Sequence, residues 1–147
     1  MRTLTKAVLA TFGAAACLGV LAGPAAAQFG GPPPPPNTGV PLFTTMTGGD
    51  GQGRITVVID PPKGTACYIM NVSGLEGITA AHIHTGAAGQ TGNPVVMLAA
   101  PTDGTSGGCV PIAADVAAAL LANPGGYYVN VHTRQFPNGA IRGQLTK

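Results

Sequence analysis

Alternation of apolar and polar positions is the strongest regular signal along the chain. From Arg54 to Asp60, Ile55, Val57 and Ile59 share one face while Arg54, Thr56 and Asp60 take the other. That period of two marks a half-buried strand. Leu42–Thr47, Cys67–Val72, Ile78–Thr85, Pro94–Leu98, Tyr127–Thr133 and Ala140–Leu145 also read as strands. Turn signals separate them: Gly48-Gly49-Asp50-Gly51, Pro61-Pro62-Lys63-Gly64, Ser73-Gly74, the Gly86–Asn93 loop, and Asn138-Gly139 joining the last two strands as a hairpin. One helix is predicted, Ala113–Ala122, with Asp115 in its first turn and Asn123-Pro124-Gly125 ending it. About seven short strands in about 100 residues predict an all-β fold, a Greek-key β-sandwich with one short helix.

The N-terminal segment follows a different logic. Arg2 and Lys6 form a basic start, Ala7–Leu21 is apolar or small, Gly23-Pro24 breaks the run, and Ala25-Ala26-Ala27 follows. This order predicts a signal peptide over residues 1–27, cut between Ala27 and Gln28. The apolar run is about 15 residues where a spanning helix needs about 20, so the mature form is expected to hold no membrane segment. Cys17 does not fit a lipid-attachment site, because Ala14-Ala15-Ala16 lacks a large aliphatic residue and the apolar run continues past it. Residues 28–41, with Pro32–Pro36 unbroken, read as a stiff polyproline II linker, and residues 42–147 as the folded domain. The protein is thus expected to be exported, either periplasmic or secreted.

Charge narrows the partners. Seven Lys and Arg face five Asp and Glu, and losing Arg2 and Lys6 with the signal leaves five of each. A neutral domain offers no footprint for nucleic acid or an anionic membrane. Glu76 is the one glutamate, which leaves little for an enzyme built on paired carboxylates. Gly and Pro supply 33 of the 120 residues after the cut, a share approaching that of disordered chains. The Val and Ile alternation argues instead for a face that can be buried, and hence for a fold.

Loss of Cys17 with the signal leaves Cys67 and Cys109. Two cysteines in an exported domain are expected to form one disulfide. A nucleophilic role would need a nearby base or cation, and neither cysteine has one in sequence.

His82, His84 and His132 are the candidate chemistry. His82 and His84 flank Ile83, so strand parity puts both on one face, opposite Ala81 and Ile83. Tyr128, Asn130 and His132 alternate likewise with Val129 and Val131. If the two strands are neighbours, three imidazoles converge, a donor set suited to copper or zinc. The alternative is that the histidines bond loop carbonyls and pin the Gly-rich 86–93 loop. Arg142 is placed outward on the last strand, where it would pair with Asp60 or Glu76 or hold an anion near the histidines; for Arg134 as for Arg142, exposed ion pairing is the default expectation. Gly104-Thr105-Ser106-Gly107-Gly108 looks like the nucleophile loop of trypsin-type proteases, but those need a chain about twice this long. Gly49–Gly53 lacks the helix a phosphate loop needs.

The stretches VSGLEGITAAHIHTGAAGQTGNPVVML and YYVNVHTRQFPNGAIRGQL closely resemble the CHRD domain, a module named for its repeats in chordin and also present singly in exported bacterial proteins. The resemblance covers roughly residues 42–146; its most specific pieces are Ala81-His82-Ile83-His84, Asn130-Val131-His132-Thr133 and Gly139-Ala140-Ile141-Arg142-Gly143. Ala140 stands where that last motif usually has Glu. The resemblance implies an immunoglobulin-like or superoxide-dismutase-like sandwich and a non-catalytic module, not an enzyme. The sequence is also faintly similar to copper-zinc superoxide dismutases, with His82, His84 and His132 corresponding to three copper ligands. No further histidine exists to bridge to zinc, so dismutase chemistry is not implied. Two readings follow: a binding or structural module for an unknown protein or other ligand, or a small copper- or zinc-binding protein.

Overall fold

The computed structural model describes residues 39–147; the expected signal peptide and nearly all of the expected linker lie outside them. Eight strands are present among the described residues: β1 (Val40–Gly48), β2 (Gly51–Asp60), β3 (Thr65–Ser73), β4 (Ile78–Thr85), β5 (Pro94–Leu98), β6 (Thr105–Pro111), β7 (Tyr127–Thr133) and β8 (Ile141–Gln144). One α-helix among them, α1 (Ala114–Ala122), lies between β6 and β7. The strands pair antiparallel in one sheet of order β5-β4-β7-β8-β1-β2-β3-β6. The fold is all-β, sandwich- or barrel-like, as the strand pattern predicts.

Period-two alternation accounts for the core. Leu42 and Met46 of β1, Ile55, Val57 and Ile59 of β2, Ala66, Tyr68 and Met70 of β3, Ala81 and Ile83 of β4, and Val129 and Val131 of β7 are all buried. They form one cluster drawn from both halves of the sheet, joined by Ala117 and Leu120 of α1. α1 has no side-chain N-cap, so its hold on the domain comes from that packing more than from its ends. Inside the cluster the Tyr68 hydroxyl accepts a hydrogen bond from the Ala99 backbone N–H at 2.7 Å. This ties β3 to the residue just past β5, near the opposite border of the sheet.

Two local expectations need correction. The run Gly104–Gly108, which the alternation does not mark as a strand, belongs mostly to an eighth strand, β6, which borders the sheet beside β3. Gly107 and Gly108 hide its strand signal, because glycine is depleted in strands. Asp60, expected on the solvent side, is 4% exposed. Its carboxylate accepts from the Lys63 ammonium at 2.6 Å and caps the 3-10 turn Pro61–Lys63.

Cys67 and Cys109 stand directly opposite each other in the β3–β6 register and are joined as a disulfide with a sequence separation of 42. Closing a loop of that size stabilises the fold by about 4 kcal/mol in the chain-entropy account. The bond fits an oxidising compartment.

Candidate metal centre

β4 and β7 are neighbours, with Ala80 opposite His132, His82 opposite Asn130 and His84 opposite Tyr128. Because the intervening Ala81, Ile83, Val129 and Val131 fill the core, strand parity sends the histidines to the other face. The three rings gather there, with centroid separations of 5.5 Å for His82–His84, 5.0 Å for His82–His132 and 5.8 Å for His84–His132. One ring nitrogen from each lies within 4.8 Å of the others.

That face is not simply open. His84 is 8% exposed, contrary to the outward position its parity predicts. The Gly86–Asn93 loop covers it, and His84 Nδ1–H donates to the Gly92 carbonyl at 3.0 Å. On its other side the His84 ring stacks on Tyr128, with centroids 5.0 Å apart and planes 10° from parallel. His132 is held in the same manner, its Nδ1–H donating to the Pro137 carbonyl at 2.9 Å. A carbonyl can only accept, so in the neutral rings Nδ1 carries the hydrogen and Nε2 the lone pair. His132 Nε2 then accepts from His82 Nδ1–H at 3.2 Å. The Nε2 of His84 is buried with no hydrogen-bond partner. The pKa of His82 is lowered, first by burial and then by the neighbouring His132 and His84.

The loops that orient these rings are themselves fastened by side chains from β7 and β8. Arg142 of β8 donates to the Gln90 carbonyl at 2.7 Å and the Ala87 carbonyl at 3.0 Å, and its guanidinium carbon lies 3.4 Å from the centroid of the Tyr128 ring. It therefore braces the 86–93 loop rather than pairing with Asp60 or Glu76. Gln144 Nε2 lies 2.7 Å from the Gly86 carbonyl and 2.8 Å from that of Gly125. Asn130 Nδ2 donates to the Asn138 carbonyl at 3.2 Å, next to the Pro137 carbonyl that holds His132. A side chain on Gly139 would strike the Asn130 amide. Parity alone placed Tyr128, Asn130 and Arg142 outward; what they hold was not visible in sequence. Arg134, for its part, lies over Gly77.

Among the described residues the cluster holds no carboxylate and no thiol, and the disulfide occupies both Cys67 and Cys109. Open grooves lie elsewhere: one of about 250 Å³ is lined by Arg54 and Asn71, another by Asp50, Glu76 and Phe136, and neither is lined by a histidine. What remains is three imidazoles in fixed orientation, two of them bonded through Nδ1 to backbone carbonyls. A backbone carbonyl accepting from Nδ1–H is a usual outer support of a metal-ligating histidine.

The described helix is too short to cross a membrane. No curated protein and no solved structure matches the chain. The family profile of the CHRD domain matches residues 33–145. That match takes in every strand and every histidine described above, and the chain belongs to the CHRD domain family.

Proposed function

We propose that the chain is an exported, non-catalytic CHRD-domain module that binds one copper or zinc ion through His82, His84 and His132. One observation carries the reading: the buried Nε2 of His84 has no hydrogen-bond partner, and the ring sits beside two other imidazoles. A buried polar atom left unpaired is costly, and a metal ion bound at this nitrogen would satisfy it. Three neutral imidazoles with an open position suit both metals. Export is supported by the signal-like pattern of residues 1–27 and by a disulfide that fits an oxidising compartment. Separate roles for residues 1–27 as a cleaved signal and 28–41 as a linker belong to the same proposal.

A second reading, that the histidines only pin loops, is favoured by the carbonyl bonds of His84 and His132. Titration calorimetry with Cu²⁺ and Zn²⁺ separates the two. Stoichiometric sub-micromolar binding that is lost in His84→Ala supports the metal reading. No binding, with lowered stability in the same variant, leaves the loop-pinning role alone.

A further inference from the structure

The partner of β4 on its other side adds a donor of a different kind. β5 pairs with β4 so that Met97 stands directly opposite His82. Val96 and Leu98, on either side of Met97, are buried in the core, so Met97 shares the outer face with the histidines. It is 57% exposed, so its side chain stands clear of the core on that face. Directly opposed residues of an antiparallel pair hold their Cβ atoms about 5 Å apart. The flexible stem of methionine is long enough to bring its sulfur across that range toward the His82 ring.

Resting on the metal reading above, we propose that Met97 supplies a thioether ligand beside His82, His84 and His132, and that the site is built for copper in its Cu(I) state. The donor set is three imidazole nitrogens and one thioether sulfur, all neutral. A thioether is soft and favours Cu(I) over zinc. No carboxylate or thiolate belongs to the cluster among the described residues, so no anionic ligand offsets the second charge of Zn²⁺ or Cu²⁺. A monovalent ion loses least from that lack. Exposure of Met97 leaves this side of the site reachable from solvent, as uptake and release of an ion require.

Anaerobic titration of the full chain with Cu(I) against a chromophoric chelator, in parallel with Zn²⁺, tests this, using wild type, Met97→Leu and His84→Ala. The expected result is one Cu(I) per chain, a sulfur neighbour in the copper X-ray absorption spectrum, and loss of that neighbour in Met97→Leu. Affinity of Met97→Leu for Cu(I) falls by about tenfold or more while Zn²⁺ affinity holds. If Met97→Leu binds Cu(I) as wild type does, with no sulfur seen in either, the thioether assignment is overturned and the three-histidine site stands. If wild type binds neither ion, the metal reading falls and the assignment with it. Cu(I) binding that survives His84→Ala overturns the assignment by placing the ion elsewhere.

Discussion

The guanidinium of Arg142 lies over the ring of Tyr128, and the same ring stacks on His84. Three adjacent strands, β8, β7 and β4, thereby line up a cation, a phenol and an imidazole in one row. The row fixes the His84 ring plane, while the two loop carbonyls held by Arg142 fix the segment that covers it.

Replacing Arg142 by Ala removes both effects. The expected loss of stability is about 1–2 kcal/mol, from charge-assisted bonds and a cation–π contact at a partly exposed site. Proteolysis within Gly86–Asn93 is expected to rise more steeply than global unfolding does. Arg142→Lys restores the charge but not the two-pronged grip, so it should recover less than half of the loss. Equal stability and equal cleavage in wild type and Arg142→Ala would contradict the bracing role.

Gly92 is the other fixed point of the covering loop. A side chain there would collide with the Thr85 carbonyl, which cannot yield without disturbing the end of β4. Gly92→Ala is therefore expected to displace the carbonyl that orients His84. Losing such an outer support weakens metal affinity by about 10- to 100-fold. Titration of the folded variant with the ion checks it, and unchanged affinity would show that the loop is indifferent to binding.

The lowered pKa of His82 sets a pH dependence of stability in metal-free protein. Burial, His132 and His84 all disfavour its charged form in the folded state, so the unfolded chain takes up a proton first, near its ordinary value of about 6.5. Stability is complete above that value and declines as pH falls from there through the folded-state pKa. Melting temperatures of chelator-treated protein should drop between about pH 7.5 and pH 5.5, with a shallower slope in His82→Asn. A slope unchanged by the substitution would assign the dependence to other groups.

Within the core, the bond from Ala99 N–H to Tyr68 makes a separate prediction. Tyr68 is 7% exposed whereas Ala99 is exposed, so Tyr68→Phe removes the bond but leaves the Ala99 donor within reach of water. The expected cost is about 0.5–1.5 kcal/mol in urea unfolding. A cost near zero would show that the two sheet borders close without this tie.

How far these features could be read in advance varied with their physical origin. The β4 and β7 faces were legible because Ala81, Ile83, Val129 and Val131 alternate with polar residues, and alternation fixes parity in any sheet with one buried side. That β4 adjoins β7 was only a condition, since pairing depends on chain topology. The burial of His84 was not legible: it comes from a loop folding back, and the anchors of that loop are backbone carbonyls, which carry no residue signature. β6 was hidden because Thr105–Pro111 holds two glycines and no fully buried side chain. Arg142 looked like half of an ion pair because charge is visible in sequence and carbonyl acceptors are not.

The position of the Cys67–Cys109 bond has its own consequence. β6 is hydrogen-bonded to β3 alone and buries none of its side chains fully, so the covalent bridge reinforces a margin that packing holds only weakly. Chain kept in a thiol-rich cell interior would carry a border that peels away, uncovering the unpaired backbone groups of β3. A bare β3 is a template for another strand. Self-association before oxidation, more than loss of the histidine centre, is then the hazard that the cysteine pair removes.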